Sequence, residues 1–222
     1  MTAVLLKNIS PPTFDRKEIL RYAGCRCADP SVEKLLDDCI AEAVGCLVYK
    51  VCYAETDVKT AEGSCSFAKM FDVKSEKLAV NLGGCNKAVI MGATVGVGLD
   101  RLIAKYGVIS PSRAVMLQAV GAERIEALCD AFCRSYEVEN GVSLKPRFSP
   151  GYGDLSLDCQ RDIFLHLGLT KNIGITLNGS LLMTPSKSVT AFVGITDPES
   201  KKCKTDKCAE CEKTDCAFRG KI

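Results

Sequence analysis

The order of helical and strand-like patterns along the chain is the feature that most limits its possible folds. Apolar residues recur at helical spacing in residues 15–22, 30–45, 78–82, 93–105, 112–136 and 157–167. Runs typical of strands occupy residues 46–54, 67–73, 87–91, 173–177 and 188–195. The two patterns do not alternate regularly, as they would in a doubly wound parallel sheet. The sequence therefore predicts an α+β fold in which a mixed or antiparallel twisted sheet packs with helices.

The composition is that of a globular protein with almost balanced charge. Hydrophobic residues make up 47% of the 222 residues, which is far more than a disordered chain contains. The formal net charge of +2 gives no electrostatic basis for binding nucleic acid or an anionic membrane. The longest weakly polar stretch, residues 88–99, is shorter than the roughly 20 residues that a bilayer requires. We therefore expect neither a nucleic-acid partner nor a membrane partner.

The start of the chain bears on the compartment. Its apolar run, residues 3–6, is too short for the core of a signal peptide, and no basic residue precedes it. We therefore expect a cytoplasmic protein, in which thiols stay reduced. The cysteines are then expected to be packing residues or metal ligands and not disulfides.

The 14 cysteines fall into two groups. Ten are scattered between residues 25 and 159, mostly among apolar or small residues, where a thiol acts as a small hydrophobic group. The other four lie in a polar tail without apolar periodicity, at Cys203, Cys208, Cys211 and Cys216. Four thiolates around a central CxxC suit tetrahedral Zn²⁺ or a [4Fe–4S] cluster, and unliganded thiols are the alternative. The sequence thus predicts a domain at residues 1–196 and a Cys-rich metal-binding tail at residues 197–222.

A glycine-rich loop follows one of the strand patterns. Gly92, Gly96 and Gly98 lie between a strand and a helix, an arrangement that can hold a dinucleotide pyrophosphate at the helix N-terminus. Their spacing is GxxxGxG, whereas the dinucleotide fingerprint is GxGxxG. This departure favours a tight strand-to-helix turn with close packing over a nucleotide site.

A second loop, residues 146–154, contains the pattern Arg-x-x-x-Gly-Tyr. Arg147 presents a planar guanidinium that can bind a carboxylate through two hydrogen bonds. Pro150 and Gly151 predict a sharp turn with exposed backbone amides, and Tyr152 supplies a flat ring and a hydroxyl group. These residues can hold a ligand with a carboxylate and an aromatic or cationic part. A structural turn with a surface arginine explains the same pattern.

The region that contains this loop resembles the activation domain of cobalamin-dependent methionine synthase. That family has an Arg-x-x-x-Gly-Tyr loop, a helix, a strand and turn with Gly, Leu and Ser, a Met-x-Pro, and a Ser-Val strand followed by Pro-acidic-Ser-Lys. The corresponding residues here are Arg147, Gly151, Tyr152, Gly174, Leu177, Ser180, Met183, Pro185, Ser188, Val189, Pro198, Glu199, Ser200 and Lys201. The resemblance is strongest over residues 110–201 and implies that the chain is a free-standing activation module.

The resemblance implies that the loop binds S-adenosylmethionine. Arg147 would bind the carboxylate of the ligand, Gly151 would permit close approach of the backbone, and Tyr152 would shape the pocket. Ser149 belongs to the same loop and is a further candidate contact.

A glutamate on the preceding helix would meet the ammonium group of the ligand, according to the same resemblance. Glu126 is the best counterpart, and Glu123 is the alternative if the helix is aligned one turn earlier. The family then places aromatic residues after the Pro-acidic-Ser-Lys segment, where this chain has Lys202 and Cys203. Either the ligand binds more weakly here, or the Cys-rich tail replaces the aromatic wall.

The family's activation step favours iron–sulfur over zinc in the tail. An inactive cob(II)alamin is reduced by one electron and trapped by methyl transfer from S-adenosylmethionine. A 4Fe-4S cluster beside the ligand would serve this electron transfer, whereas zinc would only hold the tail together. We therefore expect iron–sulfur, with zinc as the alternative, at Cys203, Cys208, Cys211 and Cys216.

The chain carries no sign of its own cobalamin-binding module. Its only histidine, His166, lacks the Asp-x-His-x-x-Gly context and is expected at the end of a helix. We therefore expect cobalamin only through a partner, either a cobalamin-binding methionine synthase or another corrinoid protein. An electron donor such as flavodoxin or ferredoxin is implied. The chain would be an accessory component of methyl transfer, and the alternative is a non-catalytic docking or S-adenosylmethionine-sensing module.

Overall fold

The computed structural model describes residues 3–25, 29–68 and 70–197. The helices within these ranges are α1 (Arg16–Tyr22), α2 (Pro30–Val44), α3 (Glu76–Asn81), α4 (Val97–Ile109), α5 (Pro111–Asn140), α6 (Cys159–Leu167) and α7 (Leu169–Ile173). The strands are β1 (Val4–Asn8), β2 (Lys50–Ala61), β3 (Ser64–Phe67), β4 (Phe71–Lys74), β5 (Lys87–Thr94), β6 (Ser143–Leu144), β7 (Thr176–Leu177), β8 (Met183–Thr184) and β9 (Ser188–Thr196).

The main sheet is antiparallel throughout the described residues. Its strand order is β4-β3-β2-β5-β9-β6, and β1 pairs with the first half of β2. The short strands β7 and β8 form a separate hairpin. Antiparallel pairing explains why the helices need not follow a βαβ rhythm, since neighbouring strands can be joined by short turns. The predicted α+β fold with a sheet packed against helices is confirmed.

The sheet separates two apolar cores. Helices α1, α2, α4 and α5 cover one face, with Val51, Met91, Leu117 and Phe132 fully buried between them and the sheet. Helices α3, α6 and α7 cover the other face, over a core represented by Phe67, Leu78, Ile163 and Phe192. Alternate residues of a strand point to opposite faces, so β9 contributes to both cores. Each candidate site residue can therefore be assigned to one face or to the edge of this sheet.

The long helix α5 runs unbroken through a glycine that would ordinarily weaken a helix. It begins at Pro111 and is followed by Gly141 in the left-handed conformation, with φ +63°. A Cβ atom at Gly121 would lie 2.6 Å from Leu99 Cδ2 and 2.9 Å from Lys187 Cε. Gly121 is thus required for the close approach of α4 and of the chain that enters β9. The helix predicted at residues 112–136 is confirmed and is longer than expected.

Some boundaries differ from the sequence prediction. The strand predicted at residues 173–177 is shortened at its start, because Ile173 ends α7, a single helical turn enclosed by Gly168 and Gly174, which both have positive φ. Only Thr176–Leu177 is extended. The strand predicted at residues 67–73 is split between β3 and β4, which meet in a turn. Strand β1 was missed, because its apolar residues do not alternate with polar ones.

The glycine-rich loop packs against protein atoms. A Cβ at Gly92 would lie 2.6 Å from Leu169 Cδ2, and one at Gly98 would lie 2.6 Å from the carbonyl oxygen of Cys46. Gly96 adopts φ +87° at the N-terminus of α4, with Val48 directly against it. The three glycines therefore allow a tight turn with close packing, as the spacing indicated.

The scattered cysteines behave as packing residues where the structure describes them. Nine of the ten lie in the described ranges and all nine are free thiols, while Cys27 lies outside those ranges. Burial raises the pKa of Cys39, Cys52 and Cys65 to about 11 and that of Cys129 and Cys159 to about 12. These thiols stay protonated at neutral pH and contribute as small apolar groups. No helix among the described residues is long and apolar enough to span a bilayer.

Candidate functional site

A cavity of about 380 Å³ opens along the outer edge of β9. Its lining comes from α3, α5, α6, the hairpin strand β8, the start of β9 and the loop after β6. The lining residues are Asn81, Glu126, Pro146, Arg147, Phe148, Ser149, Pro150, Tyr152, Gln160, Met183, Ser188, Val189 and Thr190. The volume lies within the range that small-molecule sites occupy.

The cavity exists because the loop after β6 follows the end of β9 and leaves the sheet before it reaches the start of β9. The backbone of Lys145 donates to Gly194 at 2.8 Å, and Phe148 and Phe192 exchange hydrogen bonds of 2.9 and 2.8 Å. Beyond this bridge, no described strand pairs with the outer side of Ser188 to Thr190. An open edge leaves backbone donors and acceptors available, so a ligand rather than a strand can pair there.

The loop forms a tight turn with internal hydrogen bonds. Gly151 has φ +86°, a conformation that side chains rarely adopt. Its N–H donates to Leu155 at 2.9 Å, and the N–H of Tyr152 donates to Ser149 at 3.1 Å. These two amides are therefore used within the turn, which corrects the expectation that the turn exposes its backbone amides. Gly151 shapes the loop and does not itself line the cavity.

The loop at residues 146–154 is hydrogen-bonded to both ends of helix α3. Asp154 accepts from the Ser75 hydroxyl at 2.5 Å and from the Glu76 N–H at 2.7 Å, so it caps the N-terminus of α3. At the other end, Asn81 Nδ2 donates to the Pro146 carbonyl at 3.4 Å. The two contacts fix the position of the loop relative to the sheet.

Replacing Asp154 by alanine should remove its hydrogen bonds to the start of α3 and lower the melting temperature of the protein. The Ser75 hydrogen bond, followed by the backbone bonds from Glu76 and Lys77, lowers the pKa of Asp154 below its ordinary value of 3.8. A carboxylate whose pKa is lower in the folded than in the unfolded protein stabilises the fold at every pH above its unfolded-state pKa. This contribution is lost as the pH falls through its folded-state pKa. Circular dichroism melts of native protein and Asp154→Ala should thus differ at neutral pH, and the difference should shrink only as the pH falls below the ordinary Asp pKa of 3.8.

A matched control for this experiment is Asp72→Ala, because Asp72 is exposed on β4. Its melting temperature should follow that of the native protein at every pH. If the difference in melting temperature between native protein and Asp154→Ala persists unchanged into acid, the ionised Asp154 carboxylate is not the cause of the stabilisation.

Arg147 lies at the rim of the cavity between two carboxylates of α5. Its Nη2 donates to Glu126 Oε2 at 2.7 Å, and its Nη1 donates to Asp130. The Arg147 side chain is only 12% exposed, whereas Glu126 and Asp130 are 49% and 52% exposed. Arg147 therefore combines a largely buried stem with partners that water can reach.

The surroundings of Arg147 keep it charged. Burial acts to lower the pKa of the Arg147 guanidinium, but the Asp130 carboxylate, together with the ionised forms that Cys129 and Cys133 take only at high pH, outweighs burial and raises it. Cys129 and Cys133 in turn have raised pKa values because they are buried. The rim thus carries one fixed cation and two carboxylates, and a zwitterionic ligand can exchange with these ion pairs.

The structure separates the two glutamates that the sequence left as alternatives. Glu126 lines the cavity, whereas Glu123 lies on the buried side of α5 and pairs with Arg124. Among the loop residues, Arg147, Ser149 and Tyr152 also line the cavity. Four of the five candidate ligand-binding residues are therefore brought together in one place.

Further residues in or beside the cavity were not identified from the sequence. Asp130 pairs with Arg147 but does not itself line the cavity. It follows Glu126 by four residues on α5 and so shares its helix face, a signal that was available. Asn81, Gln160 and Thr190 come from three separate elements, and nothing in their local sequence indicates that they meet. Only the tertiary fold shows this.

Comparison with solved structures finds a similar architecture. The crystal structure of the MetH reactivation domain bound to AdoHcy superposes with a TM-score of 0.64 over 90% of this chain and 80% of that chain, at 14% sequence identity. The chain has the fold of the MetH reactivation domain. No protein-family model and no curated protein matches its sequence. The likeness to the MetH reactivation domain is thus one of fold.

The predicted metal ligands Cys203, Cys208, Cys211 and Cys216 lie outside the described residues, as do Lys202 and the segment 198–201. Within residues 3–25, 29–68 and 70–197, no group of three or more His, Cys, Asp or Glu side chains is arranged to hold a metal ion. The metal site of the tail therefore remains a prediction from spacing. His166 lies in the last turn of α6, as expected.

Proposed function

We propose that the protein binds S-adenosylmethionine in the β9-edge cavity and supports reductive methylation of the cobalamin of a separate methionine synthase or other corrinoid protein. The observation that carries this proposal is the meeting of Arg147, Glu126 and Tyr152 at one cavity. The fold supports it, because the MetH reactivation domain with the same architecture was crystallised with AdoHcy.

The charges of the rim suit this ligand. Arg147, Glu126 and Asp130 together carry one net negative charge. S-adenosylmethionine carries a carboxylate, an ammonium and a sulfonium group, and hence one net positive charge. If Arg147 takes the carboxylate and Glu126 or Asp130 takes the ammonium, the remaining negative charge offsets the sulfonium. S-adenosylhomocysteine lacks the sulfonium charge and should bind less tightly.

The role of the chain in this proposal is to bind and orient. Arg147 would hold the methionyl end, and Tyr152, which is exposed at the rim, would cover part of the ligand. The corrinoid of the partner would accept the methyl group, with one electron supplied by a donor such as flavodoxin or ferredoxin. S-adenosylhomocysteine would be the product released from the cavity.

Transfer of a labelled methyl group tests the proposal. The protein is incubated anaerobically with methyl-labelled S-adenosylmethionine, a low-potential reductant and a cobalamin-dependent methionine synthase that lacks its own activation domain. Label should accumulate on the corrinoid only when the native protein is present. Omission of the protein and omission of the reductant are the controls.

A sensing or docking module is the alternative, and this assay separates it. Binding of S-adenosylmethionine without label on the corrinoid would reject the proposed support of methylation. Label that accumulates without the protein would reject it as well.

The Cys-rich tail is proposed to hold an iron–sulfur cluster beside this site. Anaerobically purified protein should contain about four iron and four sulfide ions per chain and absorb visible light. The double variant Cys208→Ser/Cys211→Ser should lose this iron, whereas Cys25→Ser, outside the tail, should keep it. A colourless protein with stoichiometric zinc would reject the electron-carrying role and leave a structural one.

A further inference from the structure

Three residues that line this cavity each carry a buried side-chain oxygen without a hydrogen-bond partner. The oxygens are Asn81 Oδ1, Gln160 Oε1 and Thr190 Oγ1, out of five such side-chain atoms in the described residues. Gln160 is 5% exposed and Thr190 is 2% exposed. Because buried polar atoms are almost always paired, three unpaired ones around one cavity indicate that a ligand satisfies them.

These oxygens belong to residues on the face of the sheet opposite to the one that α5 and Glu126 cover. Thr190 shares its strand face with Phe192, which belongs to the core beneath α3, α6 and α7. Gln160 lies on α6 and Asn81 ends α3, so both come from helices that cover this face. The Glu126 side of the cavity belongs to α5, which covers the opposite face. The cavity is thus divided by the edge of β9 into a charged part and a neutral part.

The backbone of β9 adds to the neutral part. The N–H and C=O groups of Phe192 point outward, since they pair with Phe148. Backbone groups alternate in direction along a strand, so those of Thr190 also point outward, into the open edge. Thr190 therefore presents a backbone donor, a backbone acceptor and a hydroxyl group at one position.

We infer that Gln160, Thr190 and Asn81 form a subsite for the nucleoside end of the ligand. This inference rests on the proposed function, in which the ligand is S-adenosylmethionine. The adenine amino group and the two ribose hydroxyls are the hydrogen-bond donors outside the methionyl end, and the unpaired oxygens are acceptors for them. The charged rim then selects the amino-acid end and the neutral part selects the nucleoside.

Thr190→Val and Gln160→Leu test the subsite with two probes, S-adenosylmethionine and adenosine. Loss of one neutral hydrogen bond should raise the Kd of each probe by about 3- to 10-fold. Titrations followed by NMR detect weak binding of the adenosine fragment. The control is Gln118→Leu, because Gln118 is exposed on α5. Its affinities should equal those of the native protein.

Thermal unfolding of Thr190→Val separates ligand binding from a structural role. Valine has the shape of threonine, so Thr190→Val removes only a hydroxyl group, which has no hydrogen-bond partner in the free protein. The melting temperature without ligand should therefore stay equal or rise, while affinity falls. A fall in melting temperature with unchanged affinity for both probes would overturn the inference.

The two probes also separate this inference from the proposed function. Native affinity for S-adenosylmethionine that is unchanged in both Thr190→Val and Gln160→Leu overturns the subsite and leaves the proposed ligand intact. Binding of adenosine that depends on these residues, without binding of S-adenosylmethionine, supports the subsite and overturns the proposed function. Failure of the folded protein to bind either probe overturns both.

Discussion

Arg147→Ala should raise the Kd for S-adenosylmethionine by about 30- to 150-fold, equivalent to about 2–3 kcal/mol. The substitution removes the cation proposed to bind the carboxylate of the ligand. It also leaves Glu126 and Asp130 without their shared partner, and their charges would then repel that carboxylate. Both effects act in the same direction, so this is the largest change in affinity expected from one residue. Isothermal titration calorimetry measures it.

Two further variants identify the cause of such a loss. Arg134→Ala removes an exposed arginine from α5 and should keep native affinity. Arg147→Lys keeps the charge but loses the planar pair of donors, and its affinity should fall between those of native protein and Arg147→Ala. Native affinity in a folded Arg147→Ala protein would show that the ligand carboxylate binds elsewhere.

Arg124→Met should reduce the free energy of unfolding by about 3–5 kcal/mol. Arg124 is fully buried, pairs with Glu123, and donates to the carbonyls of Pro12 at 2.6 Å and Thr13 at 2.7 Å. Its guanidinium also lies 3.8 Å from the ring centre of Phe14. Methionine fills much of the volume but leaves the Glu123 carboxylate buried without a cation. Urea denaturation followed by circular dichroism measures the loss.

Arg134, which is exposed on the same helix α5, supplies the matched control. Arg134→Met should change the free energy of unfolding by no more than about 0.5 kcal/mol. The double variant Glu123→Leu/Arg124→Met should lose less than the sum of the two single variants, because neither charge is then left unpaired. A loss of under about 1 kcal/mol in Arg124→Met would mean that the buried pair does not hold residues 12–14 to α5.

The fold was predictable from the sequence where the patterns are long. Helix α5 and strands β5 and β9 have clear periodicity, and the helix predicted from residue 15 begins where the Asp15 side chain accepts from the Glu18 N–H. Short elements were less predictable. Strand β1 has little alternation and is stabilised by pairing with β2, and α7 depends on the positive φ values of Gly168 and Gly174. Sequence periodicity does not contain either kind of information.

The candidate site likewise has a part that was predictable from the sequence and a part that was not. Arg147, Glu126 and Tyr152, which line one cavity, were proposed as ligand-binding residues from the sequence, because their chemistry is distinctive and the resemblance supplies their order. The neutral part of the cavity was not, because Gln160 and Thr190 become significant only where the fold buries them without partners. The tight internal bonding of the Gly151 turn likewise depends on Leu155, which no motif includes.

Calorimetric titration of the native protein with S-adenosylmethionine and S-adenosylhomocysteine tests the central claim most directly. The account predicts saturable binding of S-adenosylmethionine at one site per chain, with S-adenosylhomocysteine binding more weakly at the same site because it lacks the positive charge. A folded protein that shows no saturable binding of S-adenosylmethionine would contradict the account.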